Sequence, residues 1–140
     1  MGEVKFSSEC EIPGAKIKLV TVTQKIKEIQ DRTLIYFPYN STNKLNDAEV
    51  EKYLDALAIK IIKSNNRVRL TGHTDNKGTP EYNLELGQNR AEVIKSYLLS
   101  KGVQHENLVT LSKGEVQPIS ENETEQGRAQ NRRTELEIIK

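Results

Sequence analysis

The sequence has few of the residues that build disulfides and metal centres. It contains one cysteine, Cys10, and two histidines, His73 and His105, in 140 residues. A single cysteine forms no intramolecular disulfide and no cysteine-based metal site. The two histidines lie far apart in the chain, and no His/Glu pair stands at the helical spacing of a metal site. We therefore predict neither a metal centre nor a cofactor.

The sequence also lacks a large net charge of either sign. Lysine plus arginine (21) nearly balances aspartate plus glutamate (20), which leaves a net charge of +1. General nucleic-acid binding needs a concentrated basic surface, so we predict no nucleic-acid partner. The balance still allows a small ligand that carries charges of both signs.

Long apolar runs are absent as well. No run approaches the roughly 18 residues of a transmembrane helix, and Met1 to Lys5 lack the apolar core of a secretory signal. Phe6 occupies the Ser/Thr position of a myristoylation pattern. These absences fit a cytoplasmic protein or a chain without its export segment. Any membrane contact is expected through a segment absent from this chain.

Hydrophobic periodicity predicts one α/β domain with the order β-α-β-α-β-β. Strands separated by a helix favour parallel pairing, and the late strand predicts a mixed sheet with the helices packed on it. The four strands are predicted at residues 33–37, 67–71, 108–111 and 133–139.

Two helices are predicted from start signals and apolar stripes. Asn46 and Glu49 form a capping box at the start of the first helix, and its apolar positions are Val50, Leu54, Leu57, Ala58 and Ile61. Thr79 and Pro80 start the second helix, and Gly102 ends it. The residues of the second helix predicted to face inward are Leu84, Ala91, Ile94 and Leu98.

The amino-terminal residues are less regular. We interpret residues 1–32 as an arm or linker, with an extra strand at 16–22 as an alternative, and residues 33–140 as the domain. Residues 24–32 are compatible with a short helix. A further short polar helix or an ordered loop is expected at 124–131.

Residues 72–90 carry most of the candidate chemistry. Asp75 follows the second strand, and ligands of open α/β sheets tend to sit beyond the carboxyl ends of strands. The next helix begins there with unpaired N–H groups and a positive dipole end. Asn83, Gly87 and Arg90 stand at i, i+4 and i+7, so they share one helix face.

Asp75 and Arg90 have two interpretations at this point. They can clamp a zwitterion, with the carboxylate on an ammonium and the guanidinium on a carboxylate, or they can form a structural ion pair. Gly87 can admit a ligand to the helix backbone or only allow close packing. His73 beside Asp75 raises an acid–base role. No Ser/His/Asp or Cys/His set can be assembled, and the loop lacks the Walker pattern, so we predict no enzyme and no catalytic residue.

Several segments in register closely resemble one family. They are Gly72-His73-Thr74-Asp75-Asn76-x-Gly78, Tyr82-Asn83-x-x-Leu86-x-x-x-Arg90-Ala91, Gly102-Val103, Gly114-Glu115-x-x-Pro118, Asn122-x-Thr124 and Gly127-Arg128-x-x-Asn131-Arg132-Arg133-x-Glu135. In order and spacing they resemble the OmpA-like peptidoglycan-binding domain over about residues 33–139.

The resemblance implies the family's β-α-β-α-β-β sandwich and a periplasmic location on the inner side of the outer membrane. It also implies non-covalent binding of the peptidoglycan stem peptide through its diaminopimelate residue. By position, Asp75 and Arg90 would hold the ammonium and carboxylate of that amino acid. Thr74, Asn83 and Arg132 would also line the site.

One departure concerns the loop after the first strand. The family usually has an acidic Phe-Asp-x-Asp/Asn segment leading to Ser, whereas this chain has Phe37-Pro38-Tyr39-Asn40-Ser41. Pro38 stands where an aspartate is common, and Asn40 and Tyr39 are the residues that could substitute for its contacts.

We therefore expect a binding module that tethers the outer membrane, or a membrane complex, to the cell wall. The alternative is a protein–protein assembly domain of the same fold with an altered site. A third hypothesis, a hydrolase of cell-wall peptides, is disfavoured because no nucleophile or metal set is visible. No feature of the sequence indicates an oligomeric state.

Overall fold

A computed structural model describes residues 26–29, 32–42 and 48–139. Over these residues the chain alternates strands and helices in one α/β arrangement. The elements are β1 Ile26–Ile29, β2 Arg32–Tyr36, α1 Ala48–Ser64, β3 Arg67–His73, α2 Pro80–Ser100, a 3-10 helix His105–Asn107, β4 Leu108–Gly114, α3 Glu125–Asn131 and β5 Arg133–Ile139.

The strands form a mixed sheet in the order β1-β2-β5-β3-β4. β3 and β4 are parallel, which requires a crossover connection, here α2. β5 lies between β2 and β3 and runs antiparallel to both. The predicted mixed α/β fold is therefore confirmed. This topology brings the carboxyl ends of β2 and β3 to the same sheet edge as the amino end of β5.

Helices α1 and α2 cover one face of this sheet. The predicted stripe of α1 is buried from Val50 to Ile61, and it packs on apolar residues of β3 and β5 such as Leu70 and Leu136. Thr79 caps α2 by accepting a hydrogen bond from the Tyr82 N–H at 3.1 Å, as its position predicted. None of the described helices is both long enough and apolar enough to span a bilayer.

Leu84 was wrongly predicted to face the core. Ala91, Ile94 and Leu98 are fully buried, whereas Leu84 is 53% exposed. The first turn of α2 approaches Gly114 through its backbone, because a Cβ at Gly114 would lie 3.1 Å from the Leu84 nitrogen. This approach lies at the end of β4, and the Leu84 side chain turns to solvent.

The short helix with which residues 24–32 are compatible is not formed in their described part. Residues 26–29 form β1, which pairs antiparallel with β2, because hydrogen bonding to a neighbouring strand overrides a weak local helix preference. β3 and β4 extend beyond their predicted ends, to His73 and Gly114. The extra strand at 16–22 and the cap at Asn46 lie outside the described residues.

The opposite sheet face is densely charged. We define it by the side chains that alternate with the core residues: Arg32, Arg69, Thr71, His73, Glu135 and Glu137. Arg32 binds Glu135 at 2.8 Å and Arg69 binds Glu137 at 2.7 Å. Charged cross-strand pairs of this kind stabilise the sheet while leaving its surface polar.

Candidate functional site

A small cleft lies at the end of the sheet where β2 and β3 finish and β5 begins. Its volume is about 120 Å³. It is built from the loop after β2, the loop after β3, the first turns of α2 and the residue that precedes β5. The lining residues are Tyr39, Asn40, Thr74, Asp75, Lys77, Gly78, Tyr82, Asn83, Leu86, Arg90 and Arg132. The structure therefore brings together all six residues that the sequence proposed, and their role in binding stays a prediction.

Asp75 is the buried anion of the cleft, with 4% of its surface exposed. One carboxylate oxygen, Oδ1, accepts the Lys77 backbone N–H at 3.0 Å. The other, Oδ2, accepts from Arg132 Nη1 at 3.1 Å. A carboxylate has about four acceptor positions, so Asp75 is held in place and retains acceptor capacity for a ligand.

Arg132 links three parts of the chain. Besides Asp75, its guanidinium donates to the Phe37 carbonyl at 3.2 Å and to Glu125 Oε2 at 2.7 Å. The hydrogen bond from Arg132 lowers the pKa of the Glu125 carboxyl. Arg132 therefore fixes the start of β5 against the ends of β2 and β3 while it lines the cleft.

Arg90 is fully buried, and its guanidinium is held by backbone carbonyls. Nε donates to Ser41 O at 2.8 Å, Nη1 to His73 O at 3.0 Å and Nη2 to Pro38 O at 3.2 Å. The guanidinium carbon also lies 5.2 Å from the centre of the Phe37 ring, within cation–π range.

The charge of Arg90 persists at neutral pH. Burial, and next the positive charge of Arg132, lower the pKa of Arg90 to about 10, and Asp75 opposes this change. The proposed Asp75–Arg90 ion pair is not formed, because Asp75 pairs with Arg132. Three of the five N–H groups of Arg90 donate to carbonyls of the fold, so two have no hydrogen-bond partner among the described residues.

Two neutral residues complete the inner wall of the cleft. Thr74 Oγ1 donates to the Asp75 carbonyl at 2.8 Å. Asn83 Nδ2 donates to the same carbonyl at 3.3 Å and to Glu115 Oε1 at 2.7 Å. Both residues therefore position the turn that carries Asp75, from buried sites with 2% or less of their surface exposed.

The loop after β2 forms the outer wall. Asn40 adopts a left-handed backbone with φ of 51°, a conformation that asparagine tolerates better than most residues. Its Oδ1 accepts a hydrogen bond from the Tyr82 hydroxyl. Pro38 contributes its carbonyl to Arg90. The described part of this loop, residues 37–42, therefore meets the cleft through an amide side chain and its backbone.

Gly87 does not open the helix to a ligand, so that interpretation is wrong and the close-packing alternative is correct. A Cβ at Gly72 would lie 1.7 Å from the Gly87 carbonyl oxygen, and a Cβ at Gly87 would lie 2.3 Å from Ser112 Oγ. The backbones of β3 and α2 therefore touch here. This contact sets the distance between Asp75 at the end of β3 and Arg90 on α2.

His73 does not share the cleft with Asp75. Its backbone carbonyl meets Arg90, while its side chain lines a separate cavity on the opposite sheet face. Within the described ranges, no group of three His, Cys, Asp or Glu side chains could hold a metal ion.

Several residues in and around the cleft were not singled out from the sequence. Tyr82 and Leu86 line the cleft and stand at i and i+4 beside Asn83, so helical phase could have found them. Glu125 precedes Arg132 by seven residues at the start of α3, also a same-face spacing. Lys77 carries no local signal, because its place in the wall depends on the turn at Asp75.

Comparison with known proteins supports the same fold. A sequence model described as the OmpA family matches residues 36–132. The peptidoglycan-associated lipoprotein of Buchnera aphidicola subsp. Baizongia pistaciae is 33% identical over 111 residues, which cover 79% of this chain and 64% of that protein. That of Pseudomonas putida is 41% identical over 104 residues, covering 74% of this chain and 61% of that protein.

A solved structure gives an independent match. The crystal structure of the peptidoglycan-associated lipoprotein from Burkholderia pseudomallei is 31% identical, with a TM-score of 0.72, and the match covers 76% of this chain and 89% of that chain. The chain spans less than two thirds of the length of the two sequence relatives above. The match to the family covers more than half of this sequence, and the chain belongs to the OmpA family.

Proposed function

We propose that this chain binds peptidoglycan non-covalently and tethers the outer membrane, or a membrane complex, to the cell wall. The relatives named above are called peptidoglycan-associated lipoproteins. The observation that carries the proposal is that one cleft presents the Asp75 carboxylate beside the guanidiniums of Arg90 and Arg132. On this proposal the chain works on the periplasmic side of the outer membrane.

The ligand group is inferred from the signs of these charges. The end of a diaminopimelate side chain carries an ammonium and a carboxylate on one carbon. The ammonium would donate to the free acceptor positions of Asp75, and the carboxylate would accept from the remaining N–H groups of Arg90. Charge-assisted hydrogen bonds are the strong ones, and both protein groups are already fixed by other contacts, which lowers the entropy cost of binding.

The chemistry is recognition without catalysis. Thr74 and Asn83 hold the turn at Asp75, and Arg132 neutralises part of the carboxylate charge. Hydrolysis would need an activated nucleophile or a metal-bound water. His73 lines a different cavity, so it is not placed to serve as a base beside Asp75.

Co-sedimentation with purified cell-wall sacculi tests the proposal. Asp75→Asn keeps the side-chain shape but removes the anion, and it should weaken binding by about 2–5 kcal/mol, since the ammonium of the ligand is left unpaired. Glu106→Gln is the matched control, because it makes the same chemical change at an exposed residue of the 3-10 helix. Equal pelleting of both variants, each folded by circular dichroism, would reject the cleft as the wall site.

Stem peptides of two kinds test the diaminopimelate assignment. A lysine at the third position keeps the ammonium but lacks the side-chain carboxylate, so it cannot engage Arg90. We expect soluble peptides with diaminopimelate to bind at least about tenfold more tightly, since one charge-assisted hydrogen bond is worth roughly 1.5–3 kcal/mol. Equal affinities would refute the role of Arg90 while leaving wall binding intact.

The alternative is a protein–protein assembly domain, and exposed apolar residues near the cleft favour it. Tyr39 is 60% exposed, Leu84 53% and Val116 70%. Contiguous exposed apolar surface marks protein interaction sites, and Tyr39 lines the cleft itself. Failure of the unmodified chain to pellet with sacculi, together with a measurable protein complex, would support this reading.

A further inference from the structure

A second cavity lies on the opposite sheet face, away from the cleft of Asp75. Its volume is about 460 Å³, within the size range of small-molecule sites. Side chains from β2, β3, β4 and β5 surround it. They are Arg32, Arg69, Thr71, His73, Leu111, Lys113, Gln117, Glu135 and Glu137.

His73 is the buried polar residue of this cavity. Its side chain is 3% exposed, and among the described residues neither ring nitrogen has a hydrogen-bond partner. Glu135 Oε2 lies 3.7 Å from Nε2, which is too far for a hydrogen bond. Burial, and next the charge of Arg133, lower the pKa of His73 to about 4. The neutral ring therefore has one N–H to donate and one nitrogen to accept.

The charges around His73 leave an excess of cations. Glu135 is occupied on both oxygens, by Arg32 at 2.8 Å and by Arg133 at 2.8 Å. Glu137 is bound by Arg69 through one nitrogen at 2.7 Å. Among the described residues Arg32 and Arg69 each make one ion pair, so both lining side chains have further N–H groups to donate.

Lys113 adds a further cation to this wall. It lies in β4 beside the end of β3, half-buried, and its positive charge contributes to the low pKa of His73. The lining thus contains three cations, Arg32, Arg69 and Lys113, and two carboxylates. A neutral imidazole N–H and an ammonium on one wall suit an anion.

We propose that this cavity binds an anionic group, a carboxylate or a phosphate, through His73 and Lys113, with Arg32 and Arg69 as the flanking donors. Because the cavity is larger than a simple anion, the group belongs to a larger molecule. The site does not depend on the Asp75 cleft. Its side chains lie on the other face of the sheet, and no residue lines both sites.

Nuclear magnetic resonance titration of the whole chain tests the proposal, with inorganic phosphate and acetate as separate probes and neutral acetamide as the control. We expect saturable shifts of the His73 imidazole nitrogens and of β3 and β4 amides with at least one anion, and none with acetamide. The better of the two anions identifies the source of the group.

Lys113→Gln should weaken the binding by about tenfold, the loss expected for one charge-assisted hydrogen bond. Lys63→Gln is the matched control, because this substitution removes the same charge at the end of α1. Asp75→Asn should leave this binding unchanged, which separates the result from that of the wall assay. Shifts that do not saturate, or that are equal in Lys113→Gln and Lys63→Gln, would overturn the proposal.

Discussion

Replacement of Arg90 by lysine tests how far this side chain holds the fold as well as the ligand site. The guanidinium makes three hydrogen bonds to carbonyls, at Ser41, His73 and Pro38. A lysine ammonium keeps the charge but has no planar fork, so we expect it to retain about one of these bonds. Hydrogen bonds to charged groups contribute roughly 1.5–3 kcal/mol each. The loss of two such bonds should lower the free energy of unfolding of Arg90→Lys by about 3–6 kcal/mol.

Urea denaturation measures this loss, and thermal unfolding should show a fall in Tm of about 9–18 °C at roughly 3 °C per kcal/mol. Arg69→Lys is the matched control. Arg69 is 42% exposed and binds Glu137 alone, so the control should cost under about 1 kcal/mol. If Arg90→Lys differs from Arg69→Lys by less than about 1 kcal/mol, the loop after β2 is not held by Arg90.

Three further predictions concern packing, a buried amide and a buried imidazole. Gly87→Ala should destabilise in urea, although alanine is favoured in helices by roughly 1 kcal/mol, because the new methyl would lie 2.3 Å from Ser112 Oγ. Asn131→Ala should cost about 3 kcal/mol and speed amide exchange at Ile119 and Ser120, which donate to Asn131 Oδ1 at 2.8 and 3.1 Å. His73 has a pKa lowered from 6.5 to about 4, so between these pH values its imidazole is protonated in the unfolded chain and neutral in the folded chain. The free energy of unfolding should fall by about 3 kcal/mol as the pH drops from 6.5 to 4, and His73→Asn should flatten that slope.

Each of these predictions has an outcome that would contradict it. A Gly87→Ala variant more stable than the parent would mean that the strand and helix can separate without cost. Unchanged exchange at Ile119 would show that the loop is ordered by other contacts. A slope between pH 6.5 and 4 that persists in His73→Asn would belong to other groups. The Glu135 carboxyl, whose pKa is lowered from 4.5, adds its own loss only as the pH falls below that value.

Local patterns predicted the elements that pack by their own periodicity. The stripe of α1 and the cap of α2 were correct, because both depend on residues a few positions apart. Helical phase likewise put Asn83 and Arg90 on one face. The prediction for residues 26–29 was wrong because β1 depends on pairing with β2, which a short mixed run of residues does not reveal. The prediction that Leu84 faces the core was wrong because the apolar stripe of α2 does not show where the sheet beneath the helix ends.

The cleft itself could not be assembled from spacing alone. Asp75 and Arg132 are 57 residues apart, and only the order of strands in the sheet brings them together. The resemblance to a family placed Arg132 in the site, but it did not indicate that Arg132 rather than Arg90 pairs with Asp75. Nor could spacing decide between the two interpretations of Gly87, since the contact with Gly72 is formed by backbone atoms.

The contact between Gly72 and Gly87 limits how this cleft can change over time. The strand and helix meet with no side chain between them, and the smallest possible addition at either position is a whole methyl group that would overlap existing atoms by more than an ångström. Point mutations at Gly72 or Gly87 therefore cannot change the distance between β3 and α2 in small steps. On the proposed function, variation in ligand preference has to arise in the loops around the cleft, from which Lys77 and Tyr39 line it.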